Sequence, residues 1–422
     1  MSLIPVKDLK QAISLRAHDH VQAHPRPVLT CQLDDALGRI LAEQVVADFD
    51  VPRQNLSAMD GFALGVGSDL SDQTAFEVIG ESCAGSPFTG RILPNQAVRI
   101  FTGAVVPSDA DTVVMQENTD YQSIADFPYA VTLTQAATAG SNIRRQGEEI
   151  TKGEAVLDVG KRLNPADISL LASLGVSSVL VCQPLIVGVL ATGDELIAVG
   201  ESLPSLANIY NSNTPTIKAL LARLPVQMRD YGIIPDDLDQ TKAAVQRAID
   251  ECDVIISSAG VSVGDYDYLT EVVGQLGQIH HYKVNMKPGK PFVFGEFHRA
   301  DKPVLYFGLP GNPLSTIVGV LQFVRPALWQ LSGCASHDLP YASAMPAVCQ
   351  TDITKKGTRQ EFLRAVFGFD DGRLSVKPLG TQDSHRVKQM SQANCLLVLP
   401  SDCAGLKAGD TVMIEPFEWC FG

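Results

Sequence analysis

The run Asp253-Val254-Ile255-Ile256-Ser257-Ser258-Ala259-Gly260-Val261-Ser262-Val263-Gly264-Asp265-Tyr266-Asp267-Tyr268 decides how the rest of the chain reads. Its first part is a short apolar, β-branched run, the pattern of a buried strand. A Gly/Ser turn follows, and then a helical pattern from Tyr268 to Leu276. A strand that empties through small residues into a helix places backbone N–H groups and hydroxyls at the carboxyl edge of a sheet, which suits an anion. Ser262 and Gly264 are candidate anion contacts in this turn. Asp265 and Asp267 share it, so an anion bound there needs a cation beside it.

The same rhythm extends in both directions. From Pro184 the chain alternates strand and helix. Leu185 to Leu190, Val226 to Ile234, 253–257, 279–286, 291–297 and 303–308 read as strands. Asn213 reads as the cap of a helix whose Ile217, Leu220, Leu221 and Leu224 form one apolar face. Asp237 to Asp250 is the next helix, and Asn312-Pro313 opens a long one. Such alternation predicts a mostly parallel sheet wrapped by helices.

Flanking regions differ in character. Residues 48–148 carry short β-rich runs (Phe76 to Ile79, Ala97 to Phe101, Thr112 to Met115, Ala130 to Leu133) cut by Gly, Pro and Asp. Val6 to Leu15 and Leu33 to Val45 read as helices, and Asn164-Pro165 starts another. After about residue 334 the helical patterns end and short alternating strands suggest a small β-barrel.

Composition narrows the class. The 422 residues carry 33 basic and 47 acidic side chains, a net charge of −14. So acidic a chain argues against general nucleic-acid binding. No apolar run approaches the roughly 20 residues that span a bilayer, and the N-terminus lacks a secretory pattern. Nine scattered cysteines without a C-x-x-C pair argue against structural zinc and a disulfide framework. A cytoplasmic protein with no membrane or nucleic-acid partner is the expectation.

In open α/β sheets ligands bind outside the carboxyl ends of the strands. Four exits here carry suitable residues: Ala191-Thr192-Gly193-Asp194-Glu195, Pro235-Asp236-Asp237, the opening turn, and Gly308-Leu309-Pro310-Gly311-Asn312-Pro313-Leu314-Ser315. The acids suit a hard cation such as Mg²⁺. Asp237 reads equally as a helix cap and Asp236 as a turn residue. Lys283, Lys287 and Lys290 supply positive charge; on one strand Lys283 and Lys287 would face the same side. Asn312-Pro313 would leave free N–H groups pointing into the last loop. Outside this region, Ser57 to Ala63 is a small-residue turn with one acid, and Thr358 to Arg364 places two arginines near Ser384-His385-Arg386 and Ser391. No P-loop, nucleophile elbow or H-E-x-x-H motif occurs.

Six stretches stand in order: Ser57-Ala58-Met59-Asp60-Gly61-Phe62-Ala63, Asn142-Ile143-Arg144-Arg145-Gln146-Gly147-Glu148-Glu149, Ala191-Thr192-Gly193-Asp194-Glu195-Leu196, the opening turn, Lys287-Pro288-Gly289-Lys290-Pro291 and Leu309-Pro310-Gly311-Asn312-Pro313. Together they closely resemble the molybdopterin molybdenumtransferase family, which includes the gephyrin E domain, over nearly the whole chain. The resemblance implies a multidomain α/β plus β protein. Residues 1–47 and 149–183 would form a discontinuous mixed α/β domain and 48–148 a β-rich inserted domain. Residues 184–334 would be a central doubly wound α/β, molybdopterin-binding domain, and 335–422 a C-terminal β-barrel.

The resemblance also implies a homodimeric, Mg²⁺-dependent transferase. It would insert molybdenum from molybdate into adenylylated molybdopterin, release AMP, and contact the molybdopterin adenylyltransferase transiently. Carried onto matching positions, Asp60 and Thr102 would form the insert-domain face of the site, reaching the α/β domain of the partner subunit. Glu195, Asp236 and Asp267 would be the catalytic acids, with Asp267 and Glu195 on the metal. Lys283, Lys287 and Lys290 would hold phosphate and molybdate, and Pro310 and Pro313 would shape the loop. Ser315, Arg359 and Ser391 would lie on the molybdate side. Three positions depart from the family pattern: Ala259 where Gly is frequent, Phe62 where Tyr is usual, and Asn55 two residues before Ser57 rather than directly before it. Two rival readings are the preceding adenylylation step and a non-catalytic scaffold; the flanking domains argue against the first and the lack of an attached second enzyme against the other.

Overall fold

The computed structural model describes residues 3–122, 126–259, 268–339, 344–383 and 386–420. The chain divides into two compact units, one of residues 1–43, 159–168 and 178–422, the other of 44–158 and 169–177.

The first unit opens with α1 (Val6–Ala23), which buries Val6, Leu9, Ile13 and Ala17 at helical spacing and is longer than the predicted segment. Its α/β layer runs β1 (Leu185–Thr192), α2 (Asn213–Leu221), β2 (Val226–Ile234), α3 (Leu238–Glu251), β3 (Val254–Ser258), α4 (Tyr268–Leu276), β4 (Gly277–Tyr282), β5 (Met286–Lys287), β6 (Val293–Phe297), β7 (Val304–Leu309) and α5 (Pro313–Gly319). A π-helical stretch, Val320–Val324, continues α5 into α6 (Arg325–Leu331). The six-stranded sheet has the order β2-β1-β3-β7-β6-β4. The first four strands are parallel, and β6 runs antiparallel to both of its neighbours, β7 and β4.

Strand alternation fills both faces. Val187, Val189, Val254, Ile256, Phe307 and Leu309 pack with Ile217 and Leu221 of α2 and with Leu314 of α5. Leu190, Ile255 and Tyr306 point the other way, against Val245 and Ile249 of α3 and Leu269 and Val273 of α4. At about 25 cal/mol per Å² of apolar surface, this two-sided burial is the main force holding the sheet between its helices. The amino end of β3 is locked by Asp253, whose carboxylate accepts the Ile186 N–H at 2.9 Å and ion-pairs with Arg26 at 3.1 Å and Lys302 at 2.6 Å.

After the helical layer come β8 (Met345–Cys349), β9 (Gln360–Asp370), β10 (Arg373–Pro378), α7 (Val387–Gln392), β11 (Cys395–Leu399) and β12 (Thr411–Pro416). They pair in the order β9-β10-β8-β12-β11, and β11 pairs back on β9, closing a five-stranded barrel. Cys349, Ala365, Val376, Leu397, Leu399 and Ile414 fill it. β5 is added alongside β9.

The second unit is built on a five-stranded sheet, in the order Ala110–Met115, Gly61–Gly65, Gln96–Ile100, Ala75–Ser82 and Tyr129–Thr132. Phe62, Leu64, Phe76, Val78 and Val131 form its main core.

Three expectations need correction. Leu33 to Val45 is not a helix: only Leu33–Asp35 forms a 3₁₀ turn. Gly38 then takes φ +76°, which ends the helical path, and Ile40 and Leu41 bridge to Arg162 and Val181 as extended chain. The strand expected over 279–286 is broken at Lys283 (φ +81°), so its two halves join different sheets. The C-terminal region also keeps one short helix, α7, which carries Ser391.

Candidate functional site

The sheet order explains why four strand exits can act together. From β1 the chain crosses to β2 on one side and then to β3 on the other, so the topological switch point lies between β1 and β3. The ends are level: Thr192 pairs with Ile234, Ala191 with Ser258, and Ser258 with Leu309. At about 4.8 Å between strands, all four exits fall within about 15 Å along one edge.

The β1 and β2 exits are tied through their acids. The Asp236 N–H donates to Asp194 Oδ1 at 3.0 Å, and the Asp194 N–H donates to Asp236 Oδ2 at 3.4 Å. Glu195 folds back over Gly193: a Cβ there would lie 2.4 Å from Glu195 Oε2, so a larger residue would push the Glu195 carboxylate aside. Gly193 has φ +137°, a backbone conformation that favours glycine. Asp237 caps α3, accepting the Gln240 N–H at 2.8 Å.

At the β3 and β7 exits the structure reveals a residue that sequence reading assigned otherwise. Asn213 does not cap α2. Its buried side chain donates from Nδ2 to Ser258 Oγ at 2.7 Å and to the Gly311 carbonyl at 2.8 Å. Asn211 takes the capping role, accepting the Thr214 N–H at 3.2 Å. Ala259 holds φ +74°, where glycine is favoured, and donates its N–H to the Leu309 carbonyl at 3.0 Å. The expected free N–H groups at the start of α5 are not free: Asn312 Oδ1 accepts from Leu314 N at 3.1 Å and Ser315 N at 3.4 Å. Pro310 and Pro313 bracket this capped turn, and the Thr316 hydroxyl donates to the Pro310 carbonyl at 2.6 Å. Ser315 is buried.

The lysine segment meets the same loop. Gly289 (φ +97°) packs on Ser315; a Cβ there would lie 3.7 Å from the Ser315 Cβ. Lys290 accepts the Val284 N–H on its carbonyl at 2.9 Å, closing the turn. The face-parity argument for Lys283 and Lys287 fails, because Lys283 sits at the left-handed kink rather than within a strand. Lys287, in β5, pairs with Glu361 of β9 at 3.4 Å. The Glu361 side chain is only 7% exposed, and nothing in the sequence marked it as that partner. Arg359 donates to the Met286 carbonyl at 3.5 Å, beside Lys287. Arg364 is buried and holds the carbonyls of Asp383 and Thr381 at 3.1 and 3.2 Å, a structural commitment rather than a ligand contact. Ser391 is exposed on α7, which packs against α5 and β9.

In the second unit, Asp60 and Thr102 come together. Asp60 Oδ1 accepts the Thr102 N–H at 2.7 Å and its hydroxyl at 2.8 Å. Those two bonds hold the Asp60 carboxyl below the usual carboxylate range. Gly61 follows because nothing larger fits: a Cβ there would lie 1.9 Å from the Val114 carbonyl oxygen.

Ser262, Gly264 and Asp267, with Asp265, lie outside the described residues. Among the described residues no group of three or more His, Cys, Asp or Glu side chains is placed to hold a metal ion. A cavity of about 710 Å³ lies elsewhere in the first unit, lined by Lys10, Trp329, Met345 and Phe417 among others, and contains none of the residues above. Carboxylates, lysines and backbone turns mark the exit edge; cavity size does not.

Three family descriptions match the chain in succession: MoeA N-terminal region (domain I and II) over residues 5–175, probable molybdopterin binding domain over 188–330, and MoeA C-terminal region (domain IV) over 346–417. The molybdopterin molybdenumtransferase of Haemophilus influenzae is 38% identical, over 92% of this chain and 94% of that protein. The chain belongs to the molybdopterin molybdenumtransferase family. The Staphylococcus aureus (strain MSSA476) member of this family is 35% identical, over 97% of this chain and 95% of that protein. Among solved structures, the molybdopterin biosynthesis moeA protein from Pyrococcus horikoshii OT3 matches with a TM-score of 0.82 and 25% identity, over 99% of this chain and 100% of that one. The matched molybdopterin-binding region contains all four strand exits.

Proposed function

We propose that this chain inserts molybdenum from molybdate into adenylylated molybdopterin and releases AMP. The observation that carries the reading is the level row of four exits at the switch point, with carboxylates at two of them and the lysine turn packed on the loop of a third. Attack of water on the phosphoanhydride breaks one P–O bond and leaves new negative charge on AMP and on the pterin phosphate. Lys283, Lys287 and Lys290 offset that charge. Pro310, Pro313 and Ser315 shape the loop that receives the phosphates, Ser262 and Gly264 are assigned to substrate binding, and Arg359 and Ser391 take the molybdate side. Asp236 keeps the β1 and β2 exits together. No covalent nucleophile is needed.

Mg²⁺ fits this donor set, because it takes only one or two protein carboxylates and completes its shell with water and phosphate oxygens. Glu195 and Asp267 would hold it, and when bound it neutralises phosphate charge. We further propose a four-domain division at about 47, 148, 183 and 334, and a cytoplasmic homodimer in which the partner subunit's copy of the Asp60–Thr102 pair faces the substrate. All nine cysteines are free, in keeping with a reducing compartment. Among the described residues no helix is long and apolar enough to cross a membrane. A transient contact with the adenylyltransferase would hand over the labile substrate.

The test is cofactor transfer. Purified chain, adenylylated molybdopterin and molybdate should activate an apo-molybdoenzyme, and omission of molybdate should abolish that activation. Equal activation without molybdate would overturn the reading.

A further inference from the structure

We infer that Asn213 is a positioning residue for the proposed reaction: its amide holds the Gly311 loop to the end of β3. The inference rests on the reading of the exit edge as the substrate site. Three elements meet at this side chain. Asn213 opens α2 after β1, Ser258 ends β3, and Gly311 lies in the turn between β7 and α5. Its partners are 45 and 98 residues away in sequence, so the amide joins exits that no local turn could join.

The direction of the amide follows from chemistry. The Gly311 carbonyl can only accept, so the group facing it is the NH₂ of Asn213. Asn213 Oδ1 is thereby turned away, buried and, among the described residues, without a hydrogen-bond partner. An unsatisfied buried acceptor costs about as much as one or two of the donated bonds return. Asn213 therefore adds little net stability to the fold. It does fix the loop that carries Pro310, Pro313 and Ser315 relative to β3. The adjoining contacts point the same way: Ala259 donates to the Leu309 carbonyl, and a Cβ on Gly311 would lie 3.5 Å from the Ala259 Cβ.

The deciding variants are Asn213→Leu, which keeps the branched shape and removes both the donors and the orphaned acceptor, and Ser258→Ala. In full-length protein, Asn213→Leu should unfold near the wild-type denaturant midpoint, and its amide exchange over residues 308–315 should be faster. Its Kd for adenylylated molybdopterin should rise on the order of tenfold. Ser258→Ala should weaken binding less and add nothing on top of Asn213→Leu. An unchanged Kd with unchanged exchange would overturn the inference. So would an affinity loss that merely tracks a lowered midpoint, and so would additive effects of the two changes. Should wild-type protein fail to bind the substrate, the proposed function falls, and loop exchange alone then decides whether Asn213 holds the loop.

Discussion

Thr102 gives both of its donors to one oxygen of Asp60, the N–H at 2.7 Å and the hydroxyl at 2.8 Å. The carboxylate is thus aimed by a residue from the turn after the neighbouring strand and keeps its second oxygen for something else.

Asp60→Ala should lower kcat/KM on the order of 10²-fold while leaving the unfolding midpoint near wild type. Steady-state kinetics alongside urea denaturation check this, and wild-type turnover in the variant would remove Asp60 from the site.

The pH dependence follows from the same pair. A carboxyl held below its usual range stays ionised through mildly acidic pH, so activity that needs the Asp60 carboxylate is lost only as pH falls through its depressed folded value. Thr102→Val removes the hydroxyl bond and keeps the N–H bond, so the Asp60 carboxyl should titrate at higher pH. The acid limb of the kcat/KM profile should then move upward; an unmoved limb would show that another group controls it.

Ala259 holds φ +74° without a glycine. The left-handed conformation costs a non-glycine residue about 1–2 kcal/mol, and glycine's extra unfolded-state entropy returns roughly half of that. Ala259→Gly should therefore stabilise the protein by about 0.5–1 kcal/mol, read from the urea midpoint at constant m-value. A destabilised variant would contradict the backbone geometry.

Asp253 locks the other end of β3. Burial pushes its carboxyl up, but the bonds from Lys302 and the Ile186 N–H, with the charge of Arg26, outweigh burial and hold it below the usual range. The sign is that of a depressed acid: the stability is fully present above the unfolded carboxyl value and is lost as pH falls through the folded one. Asp253→Asn leaves two cations against a neutral group and should cost about 3 kcal/mol near neutral pH, with a smaller difference in acid. Denaturant unfolding of both proteins across pH checks it.

Much of the α/β layer was legible because its signals are local. Val254 to Ile256 read as a buried strand, and Asn312-Pro313 as a helix start. Asp60 and Thr102 could be paired only through family resemblance, since their contact joins two neighbouring strand ends. Leu33 to Val45 misled because its apolar spacing is helical while Gly38 breaks the path. Lys283 misled because strand parity assumes an unbroken strand. Asn213 carried the strongest false signal. Asn before a helical pattern is a favoured cap, yet Asn211 does that work and Asn213 turns inward to partners far along the chain. Glu361 was hidden for the same reason, because its pairing with Lys287 depends on β5 joining the barrel.

The most direct test is AMP release from adenylylated molybdopterin by the purified chain, followed by chromatography with molybdate and Mg²⁺ added or withheld. The proposed chemistry predicts stoichiometric AMP when molybdate and Mg²⁺ are both present and little when either is absent. AMP release that is indifferent to molybdate, or no release at all from correctly folded protein, would contradict it.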